Sequence, residues 1–175
     1  MSGSSADFST VELERDGFLR TLLRHLTGTL EDVVGLEQAE GFISVVGKRM
    51  GAEISSSYGR ALSVDRIPEA RLAEVLVDLK DRIQGDFYVI EDTGDTLVLG
   101  NRTCPFGDKV IGRPSLCMMT TNVFGTLAAE AAGQARVHVE ESIAMGHAGC
   151  RVVVHLSAEP RPGPGRTFYR PPSST

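Results

Sequence analysis

The spacing of apolar residues changes once along this chain, near residue 85, and the change restricts the fold. Before that point apolar residues recur every three to four positions, which is typical of amphipathic helices. The pattern predicts three helices, at about residues 9–33, 37–58 and 68–84. The first carries an apolar stripe suited to pairing with a second copy of the chain or with another protein.

After residue 85 the chain contains short runs rich in β-branched and aromatic residues, which indicate strands. The predicted strands cover residues 87–90, 96–99, 135–140 and 151–156, with one further helix at 114–132. The order ααα-ββ-α-ββ predicts an α+β fold in which helices cover an antiparallel sheet of about four strands.

The second predicted helix combines an apolar face with several glycines. Its predicted buried residues are Phe42, Ile43, Val46, Met50 and Ile54. Gly41, Gly47 and Gly51 each lower helix stability by about 1 kcal/mol relative to alanine. We therefore expect these glycines to allow close approach by a neighbouring element or a ligand.

The length of 175 residues fits one domain. Residues 1–7 are small and polar and are predicted to be flexible. Residues 158–175 hold five prolines among glycine and serine, so this tail is also predicted to be flexible. A single sensory or ligand-binding domain is expected at residues 8–157.

Charge and composition argue against several kinds of protein. The formal net charge is −5, and a nucleic-acid partner usually requires a basic face. The N-terminus lacks the basic and apolar segments of a signal peptide, and no apolar run approaches the roughly 20 residues that span a bilayer. A cytoplasmic location without membrane contact is expected, and three cysteines, an odd number, do not suggest a disulfide framework.

Three cysteines form the most informative constellation in the sequence. Cys104 follows the predicted hairpin, Cys117 lies in the first turn of the fourth helix, and Cys150 begins the last strand. Chains can converge at such element ends, so a shared site is expected. A cysteine in the first turn of a helix is also expected to have a lowered pKa, because the helix dipole favours the thiolate.

Three thiolates can hold zinc with a fourth ligand, or an iron–sulfur cluster with one iron left for another donor. His147, three residues before Cys150, is the nearest candidate for the fourth ligand, and Asp108 and Glu141 are weaker candidates. The spacing matches no compact C-x2-C motif. Cysteine is also common in protein cores, so three unrelated buried thiols are the alternative.

Four segments together resemble a known family, the methanogen output domain, a presumed signalling module. They are Cys104–Gly107 (CPFG), Leu116–Gly125 (LCMMTTNVFG), Val139–Gly146 (VEESIAMG) and Gly149–Leu156 (GCRVVVHL). The pattern is also similar, more distantly, to 4-vinyl-reductase-like sensor domains and to the effector domains of iron–sulfur-responsive winged-helix repressors. The resemblance covers about residues 35–156.

The resemblance implies helices over an antiparallel sheet, frequent dimerisation, and a bound metal centre or small apolar ligand. The chain departs from these relatives at two points, and this limits the properties that the resemblance implies. The 4-vinyl-reductase-like sensors have a further cysteine about eight residues before the last one, and this chain has Ser142 there. The chain before Gly35 is too short for a winged helix, so the DNA binding of the repressors is not implied.

The first functional hypothesis is a cytosolic signalling module. Cys104, Cys117 and Cys150 would hold an iron–sulfur cluster or zinc, with His147 or a small molecule in the fourth place. A change at this centre would shift the first helix and be read by a partner protein, and the chain is expected to form a homodimer. A thiol switch without metal is a variant of this hypothesis.

The second hypothesis is a metal-free receptor for a small apolar effector. Its pocket would lie between the second helix and the sheet, where the helix glycines make room. The polar groups of this pocket would be Tyr58, Tyr88 or Asn122. An enzyme is the least favoured class: Glu140, Glu141 and His147 are the only clustered acid–base candidates, and adjacent acids on a strand point to opposite faces.

Overall fold

A computed structural model describes residues 13–156 and 162–171 of the chain. The predicted flexible N-terminus, residues 1–7, lies outside the described residues. The helices are α1 (Arg15–Val34), α2 (Leu36–Leu62), α3 (Glu69–Asp81) and α4 (Pro114–Ala132). The strands are β1 (Phe87–Asp92), β2 (Thr96–Asn101), β3 (Gln134–Glu141), β4 (Cys150–His155) and β5 (Arg166–Tyr169). Two short 3₁₀ helices, Gly107–Val110 and Ile143–Met145, flank α4 and β3.

The strands form one antiparallel sheet in the order β1-β2-β4-β3-β5, with helices packed against it. This confirms the α+β prediction. The main core lies between the sheet and helices α3 and α4, where the rings of Phe87 and Phe124 meet edge to face at 5.5 Å. In the described parts of the chain, no helix is long and apolar enough to cross a membrane.

The fifth strand was not predicted. Residues 166–169 belong to the tail that the composition marks as flexible, yet they pair with β3, and Phe168 is 4% exposed. The Phe168 ring packs on α4 at Gly125, where a Cβ atom would lie 2.2 Å from the ring. The prediction was wrong for this segment because composition averages over the tail, whereas the four residues of β5 contain no proline and can pair at the sheet edge.

Helix α2 buries a different face from the one predicted. The buried residues are small: Ala39, Ser44, Gly47, Gly51, Ser55 and Gly59. Phe42, Val46 and Met50, which were predicted to be buried, are 57%, 48% and 43% exposed. The prediction selected the wrong face because it assumed that large apolar residues of α2 face the core. The neighbour of α2 is another helix at short distance, so its small residues are the ones that are buried.

Close packing against α4 explains the glycines of α2. A Cβ atom on Gly47 would lie 2.6 Å from Cβ of Asn122, and one on Gly51 would lie 2.7 Å from Cβ of Thr126. These distances confirm that Gly47 and Gly51 allow a close approach by a neighbouring element. Gly41 has nothing within 4 Å of its Cβ position, so the same expectation was wrong there.

Candidate functional site

The three cysteines line one cavity between the sheet and the start of α4. Asn101 at the end of β2 pairs with Cys150 at the start of β4, so Cys104, three residues beyond β2, arrives beside Cys150. Cys117 approaches from the first turn of α4. All three thiols are free and partly buried. The cavity has a volume of about 30 Å³, and its other lining residues are Phe87, Asn101, Pro105, Phe106, Val110, Leu116, Thr120, Ser142, Val139 and Val152.

A small second apolar cluster covers the cavity. It comprises buried Val110, Leu116 and Ala144, with Cys104, Phe106, Cys117 and Ile143 packed against them. The two 3₁₀ helices supply Val110, Ile143 and Ala144. They are tied together by a hydrogen bond of 2.9 Å from the backbone N–H of Gly112 to the carbonyl oxygen of Ala144. We call residues 104–113 the cover segment.

Ser142 lines the same cavity and is buried. Its hydroxyl forms a hydrogen bond with the Cys117 thiol and accepts one of 3.3 Å from the backbone N–H of Met145. The resemblance to 4-vinyl-reductase-like sensor domains implies a further cysteine at this position in those proteins. The polar atom at this position therefore belongs to the same site as the three thiols.

Burial keeps two of the thiols protonated. Burial raises the pKa of Cys104, and it raises the pKa of Cys117 to about 11 although the hydrogen bond with Ser142 opposes the shift. The expectation that the start of α4 lowers the pKa of Cys117 was wrong, because desolvation of the thiolate is the larger effect. The Cys150 sulfur accepts hydrogen bonds from the Asn101 side chain at 3.7 Å and from the backbone N–H of Ile143 at 3.5 Å.

Lys80 is a buried cation at the edge of this site that the sequence analysis missed. It is 5% exposed, and its Nζ donates a hydrogen bond of 2.7 Å to Oγ1 of Thr120. Nζ also lies 5.1 Å and 5.2 Å from the ring centroids of Phe87 and Phe124. Burial lowers the pKa of Lys80 to about 8, although the neighbouring thiols oppose the shift. The sequence did contain a signal for the burial of Lys80, because it occupies the next helical position after Leu72 and Leu76 on the apolar face of α3.

The other predicted ligands lie outside the cavity. His147 is exposed, with Nδ1 3.1 Å from the carbonyl oxygen of Ser142. Asp108 and Glu141 are exposed as well, and Asp108 pairs with Lys109 at 3.1 Å. Although three thiols share one cavity, no group of three or more His, Cys, Asp or Glu side chains in residues 13–156 and 162–171 is arranged to hold a metal ion.

The polar groups predicted for an apolar receptor also lie elsewhere. The hydroxyl of Tyr58 donates a hydrogen bond to Asp78, and Tyr88 stacks against the Arg102 guanidinium, 3.9 Å from the ring centroid. Asn122 is buried against α2, where its side chain donates to the Ser44 hydroxyl at 3.2 Å. The lining of the cysteine-lined cavity contains none of these three predicted side chains.

Helix α1 is bonded to the cover segment and to the adjoining start of α4. The guanidinium of Arg24 donates hydrogen bonds of 2.6 Å and 2.8 Å to the carbonyl oxygens of Lys109 and Ile111. The carboxylate of Glu31 pairs with Arg113 at 3.1 Å and accepts a hydrogen bond from the Ser115 hydroxyl. A movement of the cover segment therefore acts directly on α1.

These features define the class of protein: an α+β domain with one antiparallel sheet and a thiol-lined cavity under a cover segment. Residues 22–155 match the family model of methanogen output domain 1. The chain belongs to this family, which confirms the resemblance drawn from the cysteine segments. No curated protein matches the chain.

Two solved structures are similar to the chain. One is the phenol-responsive sensory domain of the transcription activator PoxR with phenol, at 16% identity and a TM-score of 0.62, covering 83% of this chain and 76% of that one. The other is a trafficking protein particle complex subunit 3 from Naegleria fowleri, covalently bound to palmitic acid. It is 13% identical, with a TM-score of 0.57, and the match covers 84% of this chain and 98% of that one. At these identities the likeness shows the fold alone.

Proposed function

We propose that this chain is a sensory module that binds a small apolar ligand in the cysteine-lined cavity and relays occupancy through α1 to a partner. The cavity suits such a ligand because its walls are mainly apolar, with a few polar groups at defined points. Its volume of about 30 Å³ means that a ligand of several heavy atoms displaces the cover segment. That displacement is the proposed signal.

One observation carries this proposal: the segment that covers the cavity is the segment to which α1 is bonded. Arg24 and Glu31 reach Lys109, Ile111 and Arg113 from α1. In α1 the buried residues are Thr27 and Gly28, and Arg20 donates a further hydrogen bond of 3.0 Å to the Gln84 side chain. Most of α1 is exposed, so a ligand that moves the cover segment can shift this helix.

The two similar structures support a ligand of this type. PoxR's sensory domain is described as phenol-responsive, and the trafficking subunit is described as covalently bound to palmitic acid. Both ligands are small organic molecules with a large apolar part. The shared fold makes a related ligand a reasonable proposal for this chain.

We further propose that the partner at the end of the relay is a second copy of the chain, seated on α1 and α2. Eleven large apolar side chains of these helices are between 40% and 75% exposed: Phe18, Leu19, Leu22, Leu23, Leu26, Val33, Leu36, Phe42, Val45, Val46 and Met50. Together they present roughly 1,000 Å² of apolar surface, which exceeds the few hundred Å² usual on monomers and is comparable to the roughly 800 Å² that each partner contributes to a standard interface.

Titration calorimetry with phenol, on protein purified without oxygen, tests the ligand proposal. We expect phenol to bind the wild type and a variant in which all three cysteines are replaced by serine. Val139→Phe, which fills the cavity, is expected to abolish binding, whereas Val33→Phe on exposed α1 should not. Hydrogen exchange in α1 should change on binding. Absence of binding, or equal binding to Val139→Phe, would overturn the proposal.

Sedimentation tests the dimer. The wild type is expected to sediment as a dimer and Leu26→Asp as a folded monomer, because a carboxylate placed in the apolar face opposes its burial. His25→Asp, at the neighbouring position, is the matched control for the added charge. A wild type that stays monomeric at high concentration would contradict the second-copy proposal.

A metal centre is the second candidate, and the convergence of three cysteines from three elements on one cavity favours it. Iron or zinc would be held by Cys104, Cys117 and Cys150, with Ser142 or a small molecule near the remaining position. Metal content by mass spectrometry and the visible spectrum, both on anaerobic protein, decide this candidate. Several irons per chain with broad absorption near roughly 400 nm would support a cluster, and one zinc per chain a zinc site. A folded, colourless, metal-free protein would overturn it.

A further inference from the structure

Lys80 is a buried ammonium for which the described part of the chain supplies no carboxylate partner. Its closest polar contact is the Thr120 hydroxyl, and the rings of Phe87 and Phe124 supply weaker attraction from their faces. An ammonium has three N–H donors, and Thr120 accepts one of them. A charge removed from water without an opposite charge is costly. The site therefore favours any anion that enters it.

Among the described residues, the groups nearest to Nζ are the Thr120 hydroxyl and the rings of Phe87 and Phe124, all of them neutral. Burial raises the pKa of both Cys104 and Cys117, so these thiols keep their protons. The negative charge that would complement Lys80 is consequently left to a ligand.

Thr120 connects Lys80 to the cavity. The Thr120 side chain lines the cavity, and its oxygen accepts the hydrogen bond from Nζ. A hydroxyl that accepts a hydrogen bond still has its own hydrogen to donate. An anion in the cavity can thus accept a hydrogen bond from the Thr120 hydroxyl. The hydrogen bond that Lys80 donates to this hydroxyl polarises it.

The remaining walls limit the kind of anion. Val110, Leu116, Val139 and Val152 line the cavity with apolar surface. The volume of about 30 Å³ holds about two water molecules, so the part of the ligand that enters without displacing the cover segment is small. A phosphate dianion would need more hydrogen-bond donors than one ammonium and a few hydroxyl and amide groups provide. A carboxylate carries one charge, which the single ammonium of Lys80 can balance.

We propose that the cavity takes a small monocarboxylate, with its anionic head at Thr120, in front of the Lys80 ammonium, and its apolar part against the valine and leucine side chains. This inference rests on the proposed function, since it names the chemical class of the ligand. It is independent of the metal candidate.

The test compares each acid with its neutral amide: acetate with acetamide, and benzoate with benzamide, by titration calorimetry and ligand-observed NMR at pH 7. In the wild type each acid is expected to bind at least about tenfold more tightly than its amide, as expected for a charge-assisted contact. Lys80→Met, which replaces the ammonium with an uncharged, unbranched side chain one atom shorter, should remove this preference. Lys48→Met, a change at an exposed lysine of α2 outside the cavity, should retain it.

Thr120→Val provides a second variant that leaves the buried charge in place, and it should weaken acid binding more than amide binding. Equal binding of acid and amide to the wild type would overturn the inference, as would an acid preference that survives in both Lys80→Met and Thr120→Val. Failure of both acids to bind would also overturn it. Phenol binding in the same cavity would in that case leave the sensory proposal standing.

Discussion

The guanidinium of Arg24, on α1, donates a hydrogen bond of 2.6 Å to the backbone carbonyl oxygen of Lys109, in the cover segment of the cavity. The two residues are 85 positions apart in the chain. Their contact connects the cysteine-lined cavity to a helix with several exposed large apolar side chains. We propose that a local change at the cavity reaches the surface through this contact.

Arg24→Ala is expected to uncouple α1 from the cavity. The variant loses two hydrogen bonds from a charged donor, so the free energy of unfolding should fall by about 1–2 kcal/mol in urea denaturation. Ligand-induced changes in hydrogen exchange should remain in residues 104–113 and disappear from α1. Arg71→Ala, which breaks an exposed pair with Glu74, is the control and should leave both readouts unchanged. An α1 response that persists in Arg24→Ala would contradict the relay.

Lys80→Met is expected to stabilise the protein at pH 7. Folding lowers the pKa of Lys80 from 10.5 to about 8, so the unfolded chain binds more protons between these values and this residue's contribution to stability rises with pH. The advantage of the variant should be on the order of 3 kcal/mol below pH 8 and should shrink towards pH 10.5.

Burial of two cysteines near Lys80 has the opposite effect on the pH dependence of stability. The pKa values of Cys104 and Cys117 are raised on folding, so their contribution to stability falls as the pH rises. Cys150 also faces this lysine. All three thiols are present in the wild type and in Lys80→Met, so the difference between the two unfolding free energies reports Lys80 together with its coupling to these thiols. A difference that does not vary between pH 7 and pH 10 would count against the buried ammonium.

Cys117 is expected to react slowly with alkylating reagents in the folded protein. The thiolate is the reactive form, and a pKa of about 11 leaves roughly 100-fold less thiolate at pH 8 than an ordinary cysteine has. Iodoacetamide labelling followed by mass spectrometry of the peptides measures this rate. The same protein labelled in urea serves as the reference, and rapid labelling of folded Cys117 would show that the thiol is not buried as described.

Gly47→Ala and Gly41→Ala are expected to act in opposite directions on stability. Alanine at residue 47 places a Cβ atom 2.6 Å from Cβ of Asn122, so α2 and α4 must separate, at a cost of about 1–3 kcal/mol. Alanine at residue 41 meets nothing within 4 Å and gains up to about 1 kcal/mol from helix propensity. Thermal unfolding of both variants decides the point, and a stabilising Gly47→Ala would mean that the two helices are farther apart.

Phe168→Ala is expected to destabilise the domain by about 3–5 kcal/mol, the usual range for removal of a buried aromatic side chain. Tyr169→Ala is the matched control, because Tyr169 is 66% exposed on the same strand. Comparable unfolding midpoints for the two variants would show that β5 does not belong to the folded core.

Much of this architecture could be read from the sequence because its signals are local. Pro114 in the first turn and Gly133 after the last turn set the predicted bounds of α4, and the structure has the same bounds. Alternating and β-branched runs located four strands to within two residues at each end. The positions of Cys104, Cys117 and Cys150 at element ends also followed from local pattern, although whether they bind metal stays a prediction.

Tertiary structure decided the rest, because the deciding contacts join residues far apart in the chain. Helix α2 turns its small residues inward only because α4 lies close to it, and apolar periodicity could not report that distance. Lys80 acquires its significance from Thr120, 40 positions away, and β5 becomes a strand only because the edge of β3 is free to pair with it. The sequence by itself determined the helices, most of the strands and the positions of the cysteines at element ends. Which faces are buried, and which charge lies beside the cavity, was decided by packing.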